Sequence, residues 1–483
     1  MSEISNLDPN PLWENFYKLT QIPRPSKKEG KVVEFIEQFG NDLGLETIKD
    51  EVGNVIIKKP ATPGYENKKP VVLQGHLDMV PQSEGNFDFQ NQPIEAYVDG
   101  EWVTADGTTL GADNGIGVAA AMTVLQSKDM EHGPIEALFT VDEETGMTGA
   151  SSLKPGLLNA EILINMDSED EGELYIGCAG GLETIARFYY KKETLPADIT
   201  AYEVVVKGLK GGHSGLDIQL QRGNANKILN RILWYGSERL DVRIAYIQSG
   251  SLRNVIPREG KAVVIVPNAQ FGEFREYFND VTEAVKNELS RVDPDIQVEL
   301  NQTDKPDFII DKKTQDNLIR AIYGCPHGVM RMSDAMEGLV DTSTNLAVIQ
   351  SCERSVFVQT LQRSSVDSSK EDLGNMIRCV FELGGAEVLH EGSYPGWKPN
   401  PDSPILKTMK EVYNNKFGKV PEVRAIHAGL ETGIISQAYP HLDMISFGPT
   451  ISYPHSPGEK VNIKTVKKFW DFLVETLKSI PEK

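Results

Sequence analysis

Apolar runs and helical repeats alternate along the first 180 residues of the chain. In residues 11–40 apolar side chains recur every three or four positions, which predicts two amphipathic helices. Short apolar runs at 53–57, 71–73, 135–141 and 161–165 predict buried strands. This alternation predicts an α/β fold with a mostly parallel sheet and helices on both of its faces.

The pattern becomes richer in strands near residue 185. Strands and helices follow one another from about 201 to 300, and a similar order recurs from about 342 to 388. We interpret residues 185–397 as an inserted α+β lid domain with two similar halves. A Pro-rich segment at 394–402 leads into the last part of the chain.

Charge and composition exclude several classes of protein. The 483 residues suggest about two to three domains, and the net charge of −21 lacks the basic footprint of a nucleic-acid binder. No apolar window reaches the length of a membrane span, and the N-terminus lacks the pattern of a signal peptide. The four cysteines form no C-x-x-C pair, so we expect ordinary thiols in a reducing, cytoplasmic compartment.

Side chains that can bind metals follow three of the predicted strands. They are His76 and Asp78, then Asp142, Glu143 and Glu144, and then Asp167. Side chains two apart on an extended segment project to the same face, so His76 and Asp78 emerge side by side. Because strand ends in an open α/β sheet border the ligand crevice, these groups would meet at one sheet edge. Solvated acidic turns are the alternative interpretation.

Asp113 lies in a Gly-rich turn ahead of a helix-like run at 118–125. One alternative is a helix start, since Asp and Asn favour caps. A second alternative is a phosphate loop, but the turn contains no G-K-[ST] sequence. Asp113 is also a reasonable bridge between two metals, because it sits in a turn rather than on a strand.

The residue types available at these positions suit zinc, which prefers histidine nitrogen and carboxylate oxygen when thiolates are absent. Five such groups are available: His76, Asp113, Glu144, Asp167 and His455. Two metals bridged by one carboxylate would each receive three protein ligands and keep open positions for water and substrate. Glu143 could then act as general base and Asp78 could orient His76, although spacing alone does not choose among Asp142, Glu143 and Glu144.

Five separated motifs carry a family resemblance. They are Gln74-Gly-His-Leu-Asp-Met-Val-Pro, Leu110-Gly-Ala-Asp-Asn-Gly-Ile-Gly, Asp142-Glu-Glu-Thr-Gly, Asn165-Met-Asp-Ser-Glu and Pro454-His-Ser-Pro. Over essentially its whole length the chain resembles the co-catalytic zinc peptidases of the aminoacylase and carboxypeptidase group. The resemblance implies two Zn²⁺ ions, for which Co²⁺ or Mn²⁺ could substitute. The implied roles are His76 and Asp167 on one ion, Glu144 and His455 on the other, Asp113 as the bridge, Glu143 as the general base and Asp78 as the orienting acid.

The resemblance also implies a domain arrangement and a lid. His455 must return to the site of the first segment, so the catalytic domain would be discontinuous, built from 1–184 and 398–483. Implied lid and pocket residues are His213 for the developing oxyanion, Asn254 and Arg363 for substrate, and His427 and Glu431 along the pocket. The alternatives are a polar turn at His213, a surface ion pair at Arg363 and a tight turn at Gly429 and Gly433. The resemblance implies that simple members have a short lid and pair, so that a lid histidine reaches the partner's site. By element order the insert of this chain looks like a doubled version of that lid, so we expect His213 to reach the metal site of its own chain.

The function that the resemblance implies is hydrolysis of dipeptides, including Xaa-His dipeptides such as β-alanyl-histidine. The alternative enzymes are an N-acyl amino acid deacylase or a tripeptidase with the same metal centre. A catalytically silent peptide-binding protein is the alternative of another class, and the intact Glu143 argues against it. We expect a dipeptide as the partner, no nucleic acid and no membrane, and the resemblance also allows a homodimer.

Overall fold

The computed structural model describes residues 3–483, which divide into two compact units. The first unit runs up to residue 177 and includes 399–425 and 430–483, and the second contains 178–398 and 426–429. The helices, in chain order, are α1 (Asn10–Thr20), α2 (Gly30–Asp42), α3 (Ala112–Gln126), α4 (Glu143–Gly146), α5 (Thr148–Ser151), α6 (Ala225–Arg239), α7 (Phe271–Leu289), α8 (Lys312–Gly324), α9 (Asp367–Leu383), α10 (Pro404–Phe417), α11 (Glu431–Ala438) and α12 (Ile463–Ser479). Within residues 3–483, no helix combines the length and apolar character that crossing a membrane requires.

The strands are shorter and more numerous than the helices. In chain order they are β1 (Glu46–Lys49), β2 (Val55–Lys59), β3 (Val71–His76), β4 (Ala96–Asp99), β5 (Trp102–Ala105), β6 (Ile135–Thr140), β7 (Ile162–Asn165), β8 (Glu173–Cys178), β9 (Gly180–Tyr189), β10 (Lys192–Glu193), β11 (Ile199–Lys207), β12 (Gly212–His213), β13 (Arg243–Ser249), β14 (Val255–Ile256), β15 (Gly260–Pro267), β16 (Gln297–Gln302), β17 (Ile309–Ile310), β18 (Gly328–Met332), β19 (Val340–Ser351), β20 (Ser355–Ser364), β21 (Glu387–Tyr394), β22 (Glu422–Ile426), β23 (Asp443–Ser446), β24 (Ile451–Ser452) and β25 (Lys460–Asn462).

The first unit contains an eight-stranded sheet in the order β1-β2-β6-β3-β7-β23-β8-β22. Its central strands β6, β3, β7 and β23 are parallel, and Leu73 aligns with Ala137 on one side and Ile164 on the other. Burial on both faces explains the continuous apolar runs of these strands. The predicted parallel sheet is therefore confirmed at the centre. At one side β1 and β2 pair antiparallel because a short turn, held by Asp50, joins them.

Helix α3 is apolar around most of its circumference. Residues 112–125 are all buried, and α3 contacts both α1 and β3. A helix enclosed in this way shows no amphipathic stripe, so its pattern predicted only the run 118–125. The helix begins at Ala112, but Asp113 and Asn114 have non-helical backbone angles. Asp113 therefore lies at a kink at the start of a buried helix.

The second unit contains a nine-stranded antiparallel sheet, with β18 attached to β19 beside the order β16-β11-β15-β13-β19-β20-β9-β21. The elements β11-α6-β13-β15-α7-β16 form one half, and β9-α8-β19-β20-α9-β21 form the other. The two halves have the same order of strands and meet where β13 pairs with β19. Helices α6 to α9 bury apolar side chains such as Leu229, Phe274, Leu318 and Phe381 in a common core. These elements form the α+β architecture that the sequence predicted.

The unit boundaries differ from those expected from the sequence. The expected boundary at 184/185 falls inside β9, which pairs along its length with β20 and therefore stays whole in the second unit. Residues 426–429, expected in the catalytic domain, also belong to the second unit. Ala179 donates hydrogen bonds from its backbone to Ile426 and Ala428, which attaches this short segment to the start of β9. His427 is therefore a residue of the second unit.

Candidate metal centre

The central parallel strands of the first unit bring His76 and Asp167 together. His76 is the last residue of β3, and Asp167 lies two residues beyond the end of the neighbouring β7. His76 Nε2 lies 3.2 Å from Asp167 Oδ1 and 3.1 Å from Asp113 Oδ1. One imidazole nitrogen therefore faces two carboxylates at once.

A second histidine repeats this arrangement on the other side of Asp113. His455 Nε2 lies 3.1 Å from Asp113 Oδ2 and 3.0 Å from Glu144 Oε2. Two triads of potential ligands result, one with His76 and Asp167 and one with Glu144 and His455, and both include Asp113. Because each Asp113 oxygen faces a different histidine, Asp113 occupies the position of a bridge. All five predicted ligands are thus brought together.

The donor atoms fit two divalent cations. A ring nitrogen carries at most one hydrogen, so neither histidine can donate fully to both carboxylates that it faces. In the described part of the chain, the buried atoms Asp167 Oδ1 and Glu144 Oε1 accept no hydrogen bond. Ligands 2.0–2.2 Å from one tetrahedral zinc ion are about 3.3–3.6 Å apart, slightly more than the nitrogen–oxygen distances of 3.0–3.2 Å here. Nitrogen and carboxylate oxygen are also the donors that zinc accepts.

The electrostatics of the centre favour a cation. Burial raises the pKa of Glu143 well above its ordinary value, and burial raises the pKa of Asp167 to about 7. Burial alone would lower the pKa of His76, but the neighbouring carboxylates raise it well above its usual range. Carboxylates that converge in this way repel one another, and a cation between them would stabilise their charged forms.

Asp78 contacts both the His76 ring at the end of β3 and the backbone of Glu143. Its Oδ1 lies 3.4 Å from His76 Nδ1 and accepts a hydrogen bond of 3.0 Å from the Glu143 backbone N–H. Its Oδ2 accepts hydrogen bonds from Ser26 and from the Glu144 backbone N–H. Burial would raise the pKa of Asp78, but His76 and these donors lower it to about 2. A charged Asp78 at this position fixes both the His76 ring and the start of α4.

Gly117 in the 110–117 motif and Gly75 on β3 leave room for close packing around Asn114. A Cβ atom at Gly117 would lie 2.6 Å from the Met166 carbonyl oxygen, and one at Gly75 would lie 2.3 Å from Asn114 Oδ1. Asn114 donates a 2.6 Å hydrogen bond to that Met166 carbonyl. The motif therefore allows close approach of α3 to the strands that bear the ligands.

Two charged residues around the Asp113 loop were missed in the sequence. Arg24 is buried and donates hydrogen bonds to the carbonyls of Leu77, Asp78 and Gly111. Glu459 is buried and accepts backbone hydrogen bonds from the residues before Asp113. Arg24 lies between two prolines and Glu459 follows Pro-Gly, so both read as loop residues. The one available signal was the position of Glu459 four residues after His455.

Glu431 lies in the first unit, at the start of α11, and it is fully buried. Its Oε2 accepts 2.7 Å hydrogen bonds from Gln74 and Thr140, while its Oε1 has no partner among residues 3–483. Burial raises its pKa to about 7. In this conformation Glu431 supports the ends of β3 and β6 instead of facing solvent.

The remaining predicted residues, which are His213, Asn254, Arg363 and His427, lie in the second unit. Two of them, Arg363 and His213, lie beside Ser214 and Tyr394, and we call these four side chains the guanidinium cluster. Arg363 is 4% exposed; it donates to Ser214 Oγ at 3.2 Å and to Tyr394 Oη at 3.0 Å. Its Nη2 lies 3.5 Å from His213 Nε2. Burial and then the Arg363 charge lower the pKa of His213 to about 4. The two hydroxyl groups that accept from the guanidinium, and the His213 ring beside it, are therefore neutral at pH 7, unlike the partner in a surface ion pair.

His427 and Asn254 also lie in the second unit. His427 is buried, and its Nε2 is 2.7 Å from Ser343 Oγ. Burial and the Arg363 charge lower its pKa to about 3. Asn254 is exposed, and its carbonyl accepts a 2.8 Å hydrogen bond from the Ser214 backbone N–H.

Comparisons with known proteins show which family and fold the chain shares. The sequence model of peptidase family M20/M25/M40 matches residues 72–479. The cytosol non-specific dipeptidase of Escherichia coli (strain K12) is 44% identical over 485 residues, which cover 100% of each chain. The crystal structure of aminoacylhistidine dipeptidase from Vibrio alginolyticus is 48% identical, with a TM-score of 0.94 over 100% of this chain and 99% of its own. A tripeptidase from Staphylococcus aureus shares the fold, with a TM-score of 0.58 at 17% identity over 98% and 99% of the two chains.

Proposed function

This chain belongs to the peptidase family M20/M25/M40, and we propose that it is a dipeptidase with a dinuclear zinc centre. The observation that carries the proposal is the pair of triads that share Asp113. Each triad supplies three ligands and leaves positions for water and substrate, as a catalytic site requires. The resemblance read from the motifs is confirmed at the level of the family.

The chemistry divides between the ions and Glu143. When bound, two zinc ions polarise the scissile carbonyl and make water a stronger acid. Glu143 takes a proton from the attacking water and delivers it to the leaving amine. Burial raises the pKa of Glu143 well above its ordinary value, which makes the carboxylate a stronger proton acceptor. Asp78 holds the Glu143 backbone in place through the 3.0 Å hydrogen bond.

The guanidinium cluster supports a substrate with a free carboxylate. Arg363 presents a buried positive charge among neutral partners, and a guanidinium fork matches a carboxylate in geometry and charge. His213 Nδ1 accepts hydrogen bonds from the backbone N–H groups of Gly215 and Leu216, so the neutral ring carries its hydrogen on Nε2. An Nε2–H donor is the group needed to stabilise a developing oxyanion, the role proposed for His213. Asn254 and His427 remain proposed substrate contacts.

The relatives narrow the substrate class. One is named a cytosol non-specific dipeptidase and the other an aminoacylhistidine dipeptidase, each similar over the full length of this chain. We infer that dipeptides are the substrates here, including Xaa-His dipeptides such as β-alanyl-histidine, and that the protein is cytoplasmic. A deacylase or a tripeptidase would use the same centre with a different pocket.

A metal-dependent assay tests this proposal. The chain is stripped with a chelator, reloaded with Zn²⁺, Co²⁺ or Mn²⁺, and offered dipeptides, tripeptides and N-acyl amino acids. We expect dipeptide hydrolysis that returns with metal and is fastest with zinc. Faster cleavage of tripeptides or N-acyl amino acids would contradict the dipeptidase assignment, and binding without turnover would support a silent peptide-binding protein.

A further inference from the structure

The carboxylate of Glu459 binds the backbone of the loop that carries Asp113. Glu459 is 2% exposed and accepts four consecutive backbone N–H groups. Its Oε2 accepts from Leu110 and Gly111 at 2.8 and 2.9 Å, and its Oε1 accepts from Ala112 and Asp113 at 2.7 and 3.2 Å. Both oxygens are thus fully used by N–H groups at the start of α3, where a negative charge is favourable.

This contact joins two ligands of one triad. Glu459 lies four residues after His455, and it bonds directly to the backbone of Asp113. His455 has a positive φ of 58°, so its loop is held in a conformation that most residues avoid. The Glu459 side chain is therefore a cross-link between the His455 loop and the Asp113 loop.

Arg24 holds the opposite side of the same loop. It donates to the Gly111 carbonyl, while Glu459 accepts from the Gly111 N–H. Arg24 also donates to the carbonyls of Leu77 and Asp78, beside His76. The His76 side of the centre thus has its own tether. On the His455 side the Glu459 carboxylate makes the contact with the Asp113 loop, and Thr104 Oγ1 donates to the Glu459 carbonyl.

We propose that Glu459 is a positioning residue that holds His455 and Asp113 in register, and so sets the metal affinity of the triad Asp113–Glu144–His455. The inference rests on the proposed dinuclear centre. Glu459 touches neither substrate nor a metal ligand atom, so it acts through the backbone. Groups that orient metal ligands in this way typically change metal affinity by 10- to 100-fold when they are altered.

Glu459→Gln is the informative variant, because the amide keeps the size of the side chain but turns an NH₂ group toward N–H donors. Two double variants are made. In the first, Glu459→Gln is combined with His76→Ala, which leaves the triad Asp113–Glu144–His455 intact. In the second, it is combined with His455→Ala, which leaves the triad His76–Asp113–Asp167 intact. Zinc affinity is measured by competition with a chromogenic chelator. We expect Glu459→Gln to weaken zinc by about 10- to 100-fold in the His76→Ala background and clearly less in the His455→Ala background.

Glu136→Gln is the matched control. Glu136 is also buried in the first unit and accepts backbone and side-chain N–H groups of Asn159, but it lies at the opposite end of β6 from Thr140. It is expected to lower thermal stability without changing zinc affinity. If Glu459→Gln does not fold, Glu459→Asp replaces it and should give an intermediate loss, since it keeps a carboxylate.

Two results would overturn the inference. Unchanged zinc affinity in a folded Glu459 variant would show that the cross-link has no effect on the triad. Equal weakening in both backgrounds would show a general structural role. Either result leaves the proposed function intact if the unsubstituted chain binds two ions and cleaves dipeptides, whereas a chain that binds no metal would defeat the proposed function itself.

Discussion

The metal centre of the first unit and the guanidinium cluster of the second are both buried polar sites, but their charges are opposite. In the metal centre two histidines face carboxylates that outnumber them, and among the described residues the buried atoms Asp167 Oδ1 and Glu144 Oε1 accept no hydrogen bond. In the guanidinium cluster a buried arginine is surrounded by neutral groups. One region therefore has an excess of negative charge and the other an excess of positive charge.

The difference shows how an unbalanced buried site indicates its ligand. Burying an uncompensated charge costs free energy, so a folded chain keeps one mainly where a ligand supplies the opposite charge. The metal centre therefore favours cations, and we expect the guanidinium cluster to favour an anion. The two charge imbalances lie in different units, so each can be tested separately.

The largest expected effect is on metal content. Asp113→Ala should impair both metal sites together, because each of its oxygens faces a different histidine. His455→Ala should mainly impair one site. Elemental analysis of the purified variants gives the number of ions per chain. Loss of a single ion in Asp113→Ala would contradict the bridge and the symmetry of the two triads.

The next largest effect is a loss of turnover in a variant that keeps both metal ions. Glu143→Ala should keep both ions and lose most activity, by about 100- to 10,000-fold, because the carboxylate acts on water and not on metal. Turnover of dipeptides and metal content are measured on the same sample. Near-normal turnover of the metal-loaded variant would assign the proton transfer to another residue.

Some features of the two regions were predictable from the sequence. The potential ligands at the strand ends could be recognised because β3, β6 and β7 are buried along their whole length and mostly apolar. The parallel alignment of these strands then places the following residues at one edge. The local sequence pattern was sufficient to predict where these side chains meet, because the direction and register of neighbouring strands determine it.

Other features depend on contacts that leave no local pattern. Glu459 is 346 residues from Asp113, and its partners are backbone groups, which any residue type would supply. Glu431 was expected along a pocket, but its carboxylate is buried against Gln74 and Thr140. The boundary inside β9 was missed because strand pairing across 176 residues, such as Thr184 with Thr360, keeps that strand whole.

A subunit-mixing experiment tests whether His213 serves the site of its own chain. Loss of an oxyanion donor typically costs about 100- to 1,000-fold in turnover, so His213→Ala should be nearly inactive. His213→Ala chains are unfolded and refolded together with inactive Glu143→Ala chains, and any dimers are isolated. If His213 acts within its own chain, every mixed dimer stays inactive. Recovered dipeptidase activity would show that His213 crosses to a partner.

A smaller effect is expected from Arg363→Lys. Lysine keeps the charge but loses the fork, so KM for dipeptides should rise by about 10- to 100-fold with a smaller change in kcat. The rise should largely vanish for dipeptide amides, which lack the carboxylate. Arg243→Lys is the control, because Arg243 already pairs with Glu193 at 2.7 Å in the same unit. An equal rise of KM for dipeptides and for their amides would contradict the proposal that Arg363 binds the substrate carboxylate.

The smallest effect concerns the free energy of unfolding of the metal-free chain, which should depend on pH in opposite directions at His427 and at Glu431. His427 has its pKa lowered to about 3 by burial and by the charges of Arg363 and His213. Between about pH 6.5 and 3 the unfolded state therefore binds the extra proton, and the free energy of unfolding falls as pH falls. Glu431 has its pKa raised from 4.5 to about 7, mainly by burial. Between those values the folded state binds the extra proton, so the free energy of unfolding falls as pH rises.

The two substitutions should therefore change the pH profile in opposite directions. His427→Gln should remove a positive slope of the unfolding free energy below pH 6.5, and Glu431→Gln should remove a negative slope between pH 4.5 and 7. Each slope is at most about 1.4 kcal/mol per pH unit. Urea unfolding of the chelator-treated chain at intervals from pH 4 to pH 8 measures both. Slopes of the same sign in the two difference profiles would contradict the opposite charge balance of the two regions, because a buried acid and a buried base respond oppositely to the same proton.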